Sequence, residues 1–234
     1  MDKIEYSKVW SFKSKNIATN FDSHVRQSVP LYDEVQRMVV EIAEYFVRED
    51  DLIVDLGVST GTTIKNIYDN IRRKNIKSVG VDESQQMLDV ARNRLKDTEL
   101  VLHDLNQGMP SIPYREETSL AILLFTLQFV KVERRELLLR QLYQSVRKGG
   151  AVILVEKILG NDAHFNEMML DLYHDMKLRN GLKATDNQVK SKSLRGIMTP
   201  ITLSDNERLL RTAGFERVDI FFKWYNFVGF IATK

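Results

Sequence analysis

Asp51-Leu-Ile-Val-Asp-Leu-Gly-Val-Ser-Thr-Gly61 is the stretch that decides the fold. An apolar run closes on Asp55 and turns at Gly57 and Gly61, where a missing Cβ permits positive φ and lets backbone approach a ligand. A second run, Ser78-Val-Gly-Val-Asp-Glu83, reads as a strand ending in acids. In a doubly wound sheet an acid at that strand end takes both hydroxyls of a ribose, and Asp82 stands there. The two runs together predict a nucleotide-binding βα turn for an adenosine-containing ligand. The plainer alternatives are an ordinary glycine turn for the first run, and a helix N-cap for Asp82, a role that Ser84 can also fill.

Outward from this unit, strand patterns alternate with helical ones, which implies βαβ units and a parallel sheet. Helical spacing runs over 31–47, and the first strand over about 52–56. A helix at 61–73 follows, then a strand at 77–82, a helix at 84–95 and a short strand at 99–102. Leu120 to Phe125 is the fourth strand, Glu133 to Val146 an amphipathic helix that Lys148-Gly-Gly150 breaks, and Ala151 to Glu156 the fifth strand. A helix near Asp205–Ala213 precedes two strands, about 216–223 and 225–233, separated by so little that they must form an antiparallel hairpin. The fold expected is α/β, a doubly wound Rossmann-like sheet with a C-terminal hairpin. Residues 1–30 read as an N-terminal arm anchored by Trp10, Phe12 and Phe21. Residues 31–234 form one domain with a helical lid insert at about 161–200, whose helix spans Phe165 to Met176 and whose aromatic anchor, Phe165, is expected to stay dry by packing.

Composition bounds the partners. The 234 residues are 43% hydrophobic, enough for a full core. Thirty-four basic and 32 acidic side chains leave a net charge of +2, so no global field favours nucleic acid or an anionic membrane, and direct nucleic-acid binding is not expected. The lysines between 183 and 192 read as a solvated loop. The absence of cysteine excludes disulfides, thiolate metal sites and a cysteine nucleophile, and no metal site is expected. No apolar run of membrane-spanning length occurs, which points to a cytoplasmic protein. His103 and His174 read as surface or core histidines, Glu167 and Asp171 as a solvated helix face, and Met168, Met169 and Met176 as packing. No catalytic residue is assigned.

The loop also chooses the cofactor. A dinucleotide site needs G-x-G-x-x-G to seat its pyrophosphate, whereas Val58 and Ser59 crowd the middle of Gly57-Val-Ser-Thr-Gly61. S-adenosylmethionine (SAM) has no phosphate, and D-L-G-x-S-x-G followed by a strand ending in Asp resembles the first two motifs of class I methyltransferases. A more specific pattern follows in order: Phe21-Asp22, Ser28-Val-Pro-Leu-Tyr32, Asp55 to Gly61, Phe125-Thr-Leu-Gln-Phe129, Glu156-Lys157, Asp175-Met-Lys-Leu-Arg-Asn-Gly181 and Ala213-Gly-Phe215. Over nearly its whole length the chain resembles the carboxy-S-adenosylmethionine (carboxy-SAM) synthase family, class I methyltransferase-fold enzymes that prepare the carboxymethyl donor for wobble-uridine modification in tRNA.

The resemblance implies a homodimer that binds SAM or S-adenosylhomocysteine and acts on a small molecule. It places cofactor contacts at Tyr32, Gly57, Val58, Ser59, Asp82, Glu83, Asp104 and Leu105, beside Asp55 and Gly61 of the loop. It also implies a reaction in which a sulfonium ylide attacks an electrophilic one-carbon acid derived from prephenate. Two positions depart from the pattern. Leu124 stands where the family has Asn, and Ser191 where it has an Arg that would clamp the extra carboxylate of the donor, with Lys190, Lys192 or Arg195 as substitutes. These departures place ordinary methyl transfer to an unidentified acceptor ahead of carboxy-SAM synthesis. A non-catalytic SAM-binding protein and a nicotinamide dehydrogenase are the alternatives outside the class.

Overall fold

The computed structural model describes residues 4, 9–114 and 117–234; residues 1–3 and 5–8 of the predicted arm lie outside them. The elements are α1 (Lys15–Ser28), α2 (Tyr32–Phe46), β1 (Leu52–Leu56), α3 (Thr62–Asn70), β2 (Lys77–Asp82), α4 (Gln85–Arg94), β3 (Thr98–Leu102), β4 (Thr118–Leu124), α5 (Val132–Ser145), β5 (Val146–Lys157), α6 (Ala163–Arg179), α7 (Ala184–Ser193), α8 (Leu203–Ala213), β6 (Arg217–Trp224) and β7 (Phe227–Thr233). They build one seven-stranded sheet in the order β3-β2-β1-β4-β5-β7-β6. The first five strands are parallel, and β7 runs antiparallel to both β5 and β6, as the short connection demands.

The central strands read as continuous apolar runs because both faces are covered: all five residues of β1 are buried. Alternation sends Leu52, Val54 and Leu56 to the face packed by Leu138, Leu139 and Leu142 of α5 and Leu210 of α8. Ile53 goes to the face packed by Val35, Val39 and Ala43 of α2 and Ile67 of α3. The parallel register brings the carboxyl ends of β1, β2, β4 and β5 to one edge of the sheet, where a doubly wound fold places its ligand.

Several boundaries differ from the sequence reading. The arm contains a full helix, α1, capped by Ser14, whose hydroxyl accepts from Ile17 N–H, and buried through Ile17, Ala18 and Val25. α3 stops at Asn70, three residues short. The Lys148-Gly-Gly150 segment lies inside β5 as a bulge: Val146 pairs with Thr118 and Ala151 with Leu120, so four residues stand opposite one. The lysine-rich stretch expected as loop contains the helix α7, whose weak apolar periodicity hid it. Phe165, expected to anchor the insert in a dry contact, is 53% exposed at the start of α6.

Candidate functional site

The glycine turn is fixed by its own backbone. Gly57 and Val58 N–H both donate to Val81 O, at 2.8 and 2.9 Å, which bends the chain over the end of β2. Gly57 adopts φ +85°, and a Cβ there would lie 2.1 Å from Thr126 Oγ1, so the F-T-L-Q-F segment sits directly against it. Val58 does not crowd the cavity, because its side chain is buried against Gly80. The opposing segment is pinned by Glu156, whose buried carboxylate accepts from Thr126, Leu127 and Gln128 N–H at 3.1, 2.8 and 2.7 Å. Burial pushes this acid up to about 8 while the three N–H groups pull it down. Phe125, next to it, is held at φ +57°, a conformation that costs a bulky side chain energy and that the surrounding packing must enforce.

A cavity of about 410 Å³ opens between these turns. Ten of the eleven residues predicted for cofactor contact line it: Tyr32, Asp55, Gly57, Val58, Ser59, Asp82, Glu83, Asp104, Leu105 and Leu124. Gly61 lies off its wall, as the left-handed N-cap of α3 packed against Leu95. Ser84, not Asp82, caps α4. That leaves the Asp82 carboxylate oriented by two backbone donors, Ser59 N–H at 3.0 Å and Ser84 N–H at 2.9 Å, with capacity left for a ligand. Burial still raises it to about 6. Asp55 is 2% exposed and no hydrogen bond reaches its carboxylate among the described residues. Burial, and then the charge of Asp82, push it up to about 8. Such an acid at the end of β1 favours a cationic ligand group. Asp104 caps a 3₁₀ turn at 105–107, accepting from Asn106, and Tyr32 is buried with its hydroxyl taking Gln36 Nε2 at 3.1 Å.

The opposite wall comes from the arm and the insert. Trp10, Phe12 and Phe21 line it, as do Lys177, Lys190 and Ser191. α1 is tied to the loop through Asp22, which accepts from Thr60 Oγ1 at 2.5 Å and from Arg94 Nη2 at 2.7 Å. Burial raises the pKa of Asp22, but Thr60 and Arg94 outweigh it and hold the acid below its ordinary range. Tyr173 of α6 donates to Ser28 O at 2.8 Å, joining insert to arm. Lys190 donates to His24 Nε2 and stacks on Trp10. Lys157 and Lys177, which the sequence reading did not weigh individually, both project onto the ring of Tyr173. Lys192 and Arg195, two of the predicted substitutes for the missing Arg, do not line the cavity. No cluster with metal-ligating composition occurs among the described residues.

The sheet order β3-β2-β1-β4-β5-β7-β6 is that of the class I methyltransferase fold. A family profile described as a methyltransferase domain matches residues 53–150. Solved structures share the fold: an O-methyltransferase family protein from Burkholderia thailandensis (TM-score 0.66, 14% identity, 94% of this chain and 60% of that one) and human N-acetylserotonin methyltransferase in complex with SAM (TM-score 0.61, 17% identity, 95% and 57%). The chain thus spans about six tenths of the length of those enzymes.

Similarity at the level of sequence is narrower. The carboxy-S-adenosyl-L-methionine synthase of Staphylococcus epidermidis is 40% identical over 96% of this chain and 97% of its own. That of Methylococcus capsulatus is 39% identical over 94% and 92%. The chain belongs to the carboxy-SAM synthase family and is a SAM-dependent transferase.

Proposed function

We propose that this protein holds SAM across the ends of β1 and β2 and makes carboxy-SAM by moving a carboxyl group from a small organic acid onto the SAM methyl carbon, which gives up a proton that the departing remainder of the acid takes up. The observation that carries the cofactor site is the pair of acids on the cavity wall, Asp82 fixed by two N–H donors and Asp55 buried without a partner. Asp82 has the remaining lone pairs to accept ribose hydroxyls. Asp55, raised to about 8 while it is buried alone, would ionise to meet the α-ammonium group, and that contact would repay its burial. Glu83, Asp104 and Leu105 extend the wall beside Asp82, while Val58 and Ser59 supply the turn and Tyr32 closes the end near Asp55. When bound, SAM supplies a carbon already activated by its sulfonium. The protein's part is then to place the second substrate in line and keep water out.

The choice of reaction draws on the relatives, whose likeness extends through the arm and the insert, the segments that shape the second-substrate side. Methyl transfer is the second reading, favoured by Leu124 and Ser191, which line the cavity without offering charge. A homodimer, a cytoplasmic setting and a place upstream of tRNA wobble-uridine modification belong to the same reading. Among the described residues no helix is long and apolar enough to cross a membrane.

Incubation of the purified protein with SAM and prephenate, followed by mass spectrometry, tests the reaction. Carboxy-SAM is expected. SAM bound but unconverted moves the assignment to methyl transfer, and a protein that binds neither SAM nor S-adenosylhomocysteine loses both readings.

A further inference from the structure

Lys157 ends β5, and Lys177 lies on α6, 20 residues further on; the fold brings both side chains to one ring. Their ammonium nitrogens stand 4.7 and 4.4 Å from the centroid of Tyr173, and both residues line the cavity. Lys177 is 5% exposed. Among the described residues no carboxylate and no hydrogen-bond acceptor engages either ammonium group. A pair kept for the fold alone would be expected to carry an acid, because an unpaired buried cation is costly and the face of one ring offsets only part of that cost for two cations. Glu156, beside Lys157 in sequence, spends its carboxylate on Thr126, Leu127 and Gln128 N–H, and Asp171 and Asp175, the acids nearest Lys177, act on His174 and not on Lys177.

We propose that Lys157 and Lys177, seated on Tyr173, form the binding subsite for a carboxylate of the second substrate. The ligand class is a small organic acid with one or two carboxylates. The proposal deepens, and rests on, the reading that SAM occupies the acid-lined end of the cavity. Three observations fit it. Burial lowers Lys157 to about 8, and burial together with Lys157 lowers Lys177 to about 8, so both would bind more firmly as cations once an anion arrives. Ser191, where the family pattern expects a guanidinium, lines the same cavity without charge, so positive charge for an anion there must come from other side chains of the lining, and Lys157 and Lys177 offer two ammonium groups. Finally, Tyr173 is anchored by its hydroxyl to Ser28 O, so the ring that carries both lysines is held in place by the arm.

The test uses the full chain loaded with S-adenosylhomocysteine, titrated calorimetrically with malonate as a small dicarboxylate and with prephenate. The parent is expected to bind both. Lys157→Met and Lys177→Met should each weaken binding at least tenfold, with S-adenosylhomocysteine affinity unchanged, and Lys177→Arg should keep most of it. If Lys177→Met does not fold, the partly exposed Lys157→Met and the Arg variant decide. A parent that binds neither anion, or variants that bind both anions as the parent does, would overturn the subsite. A parent that binds malonate through the lysines yet makes no carboxy-SAM keeps the subsite and loses the proposed reaction. A parent that makes carboxy-SAM with the KM for prephenate unchanged in both Met variants keeps the reaction and loses the subsite.

Discussion

The two ends of the cavity are built on different principles. The acid-lined end, proposed above to hold the cofactor, is backbone: paired N–H donors onto Val81, two more onto Asp82 and three onto Glu156 fix turns at the ends of buried parallel strands. The end proposed for the second substrate is side chains largely on helices outside the alternating core, joined to it by contacts such as Asp22 with Arg94 of α4 and the ring of Tyr173 against Phe227 of β7. A scaffold end built on strand termini, with a cover of added helices, is how one fold hosts different reactions. The contrast predicts that damage at the first end removes structure and ligand together, while damage at the second loosens the cover and leaves the core standing.

The sharpest break in that comparison is Gly57→Ala. The added Cβ meets Thr126 Oγ1 at 2.1 Å with φ at +85°, so overpacking and strain should cost roughly 3 kcal/mol and abolish SAM binding. Gly149→Ala, also at positive φ but with open space around it, should cost only about 1 kcal/mol. Thermal melts of the two variants check the difference.

Next in size is the clasp on α1. Arg94→Met removes a half-buried ion pair and its bonds to Thr60 and Thr62, an expected loss of about 1.5–3 kcal/mol for a charged hydrogen-bonded partner. Hydrogen exchange should rise over residues 15–28 more than over β1 and β4. Because Asp22 is held below its ordinary pKa of 3.8, this contribution is present above that value and is lost as pH falls through the lowered one. Acid melts of parent and variant should therefore converge.

Asp55 gives a smaller effect of opposite sign. Its folded pKa, about 8, lies above the unfolded 3.8, so the ligand-free protein should lose stability as pH rises from about 4 through 8. Asp55→Asn does not titrate. At pH 8 the ligand-free variant should melt about 2–4 °C above the parent, corresponding to roughly 1 kcal/mol for a domain of this size. At pH 4 the two should coincide, and at neutral pH the variant should bind SAM more weakly. The smallest signal is protection on ligand binding: S-adenosylhomocysteine should slow exchange in residues 9–30 and 161–200, and equal exchange with and without it would make those segments passive cover.

The same contrast explains what was legible in the sequence. Backbone turns need glycine, strand-end acids and apolar runs at set spacing, so the Gly57 turn, the strand-end positions of Asp55 and Asp82 and the succession of strands along the chain could be read directly. Gly61 was read as a contact because glycine carries two signals, approach to a ligand and approach to a neighbour; here the neighbour is Leu95. The helix α7 was missed because its few apolar residues leave almost no stripe. Lys157 and Lys177 looked like any solvated lysines: nothing local marks a buried cation, and 20 residues separate two side chains that the fold places on one ring. Phe165 illustrates the converse, an aromatic whose presence suggested burial that tertiary structure does not provide.

The central claim is that the acid-lined end of this cavity is a SAM site organised by Asp82. Calorimetric titration of S-adenosylhomocysteine into the parent and into Asp82→Ala at neutral pH addresses it most directly. The account predicts saturable binding to the parent and, because the substitution leaves ribose hydroxyls unpaired, a loss of about 1–3 kcal/mol, or roughly 5- to 150-fold in affinity, in a variant that still folds. Equal affinity in the two proteins, or tight binding of a nicotinamide dinucleotide by the parent in place of S-adenosylhomocysteine, would contradict it.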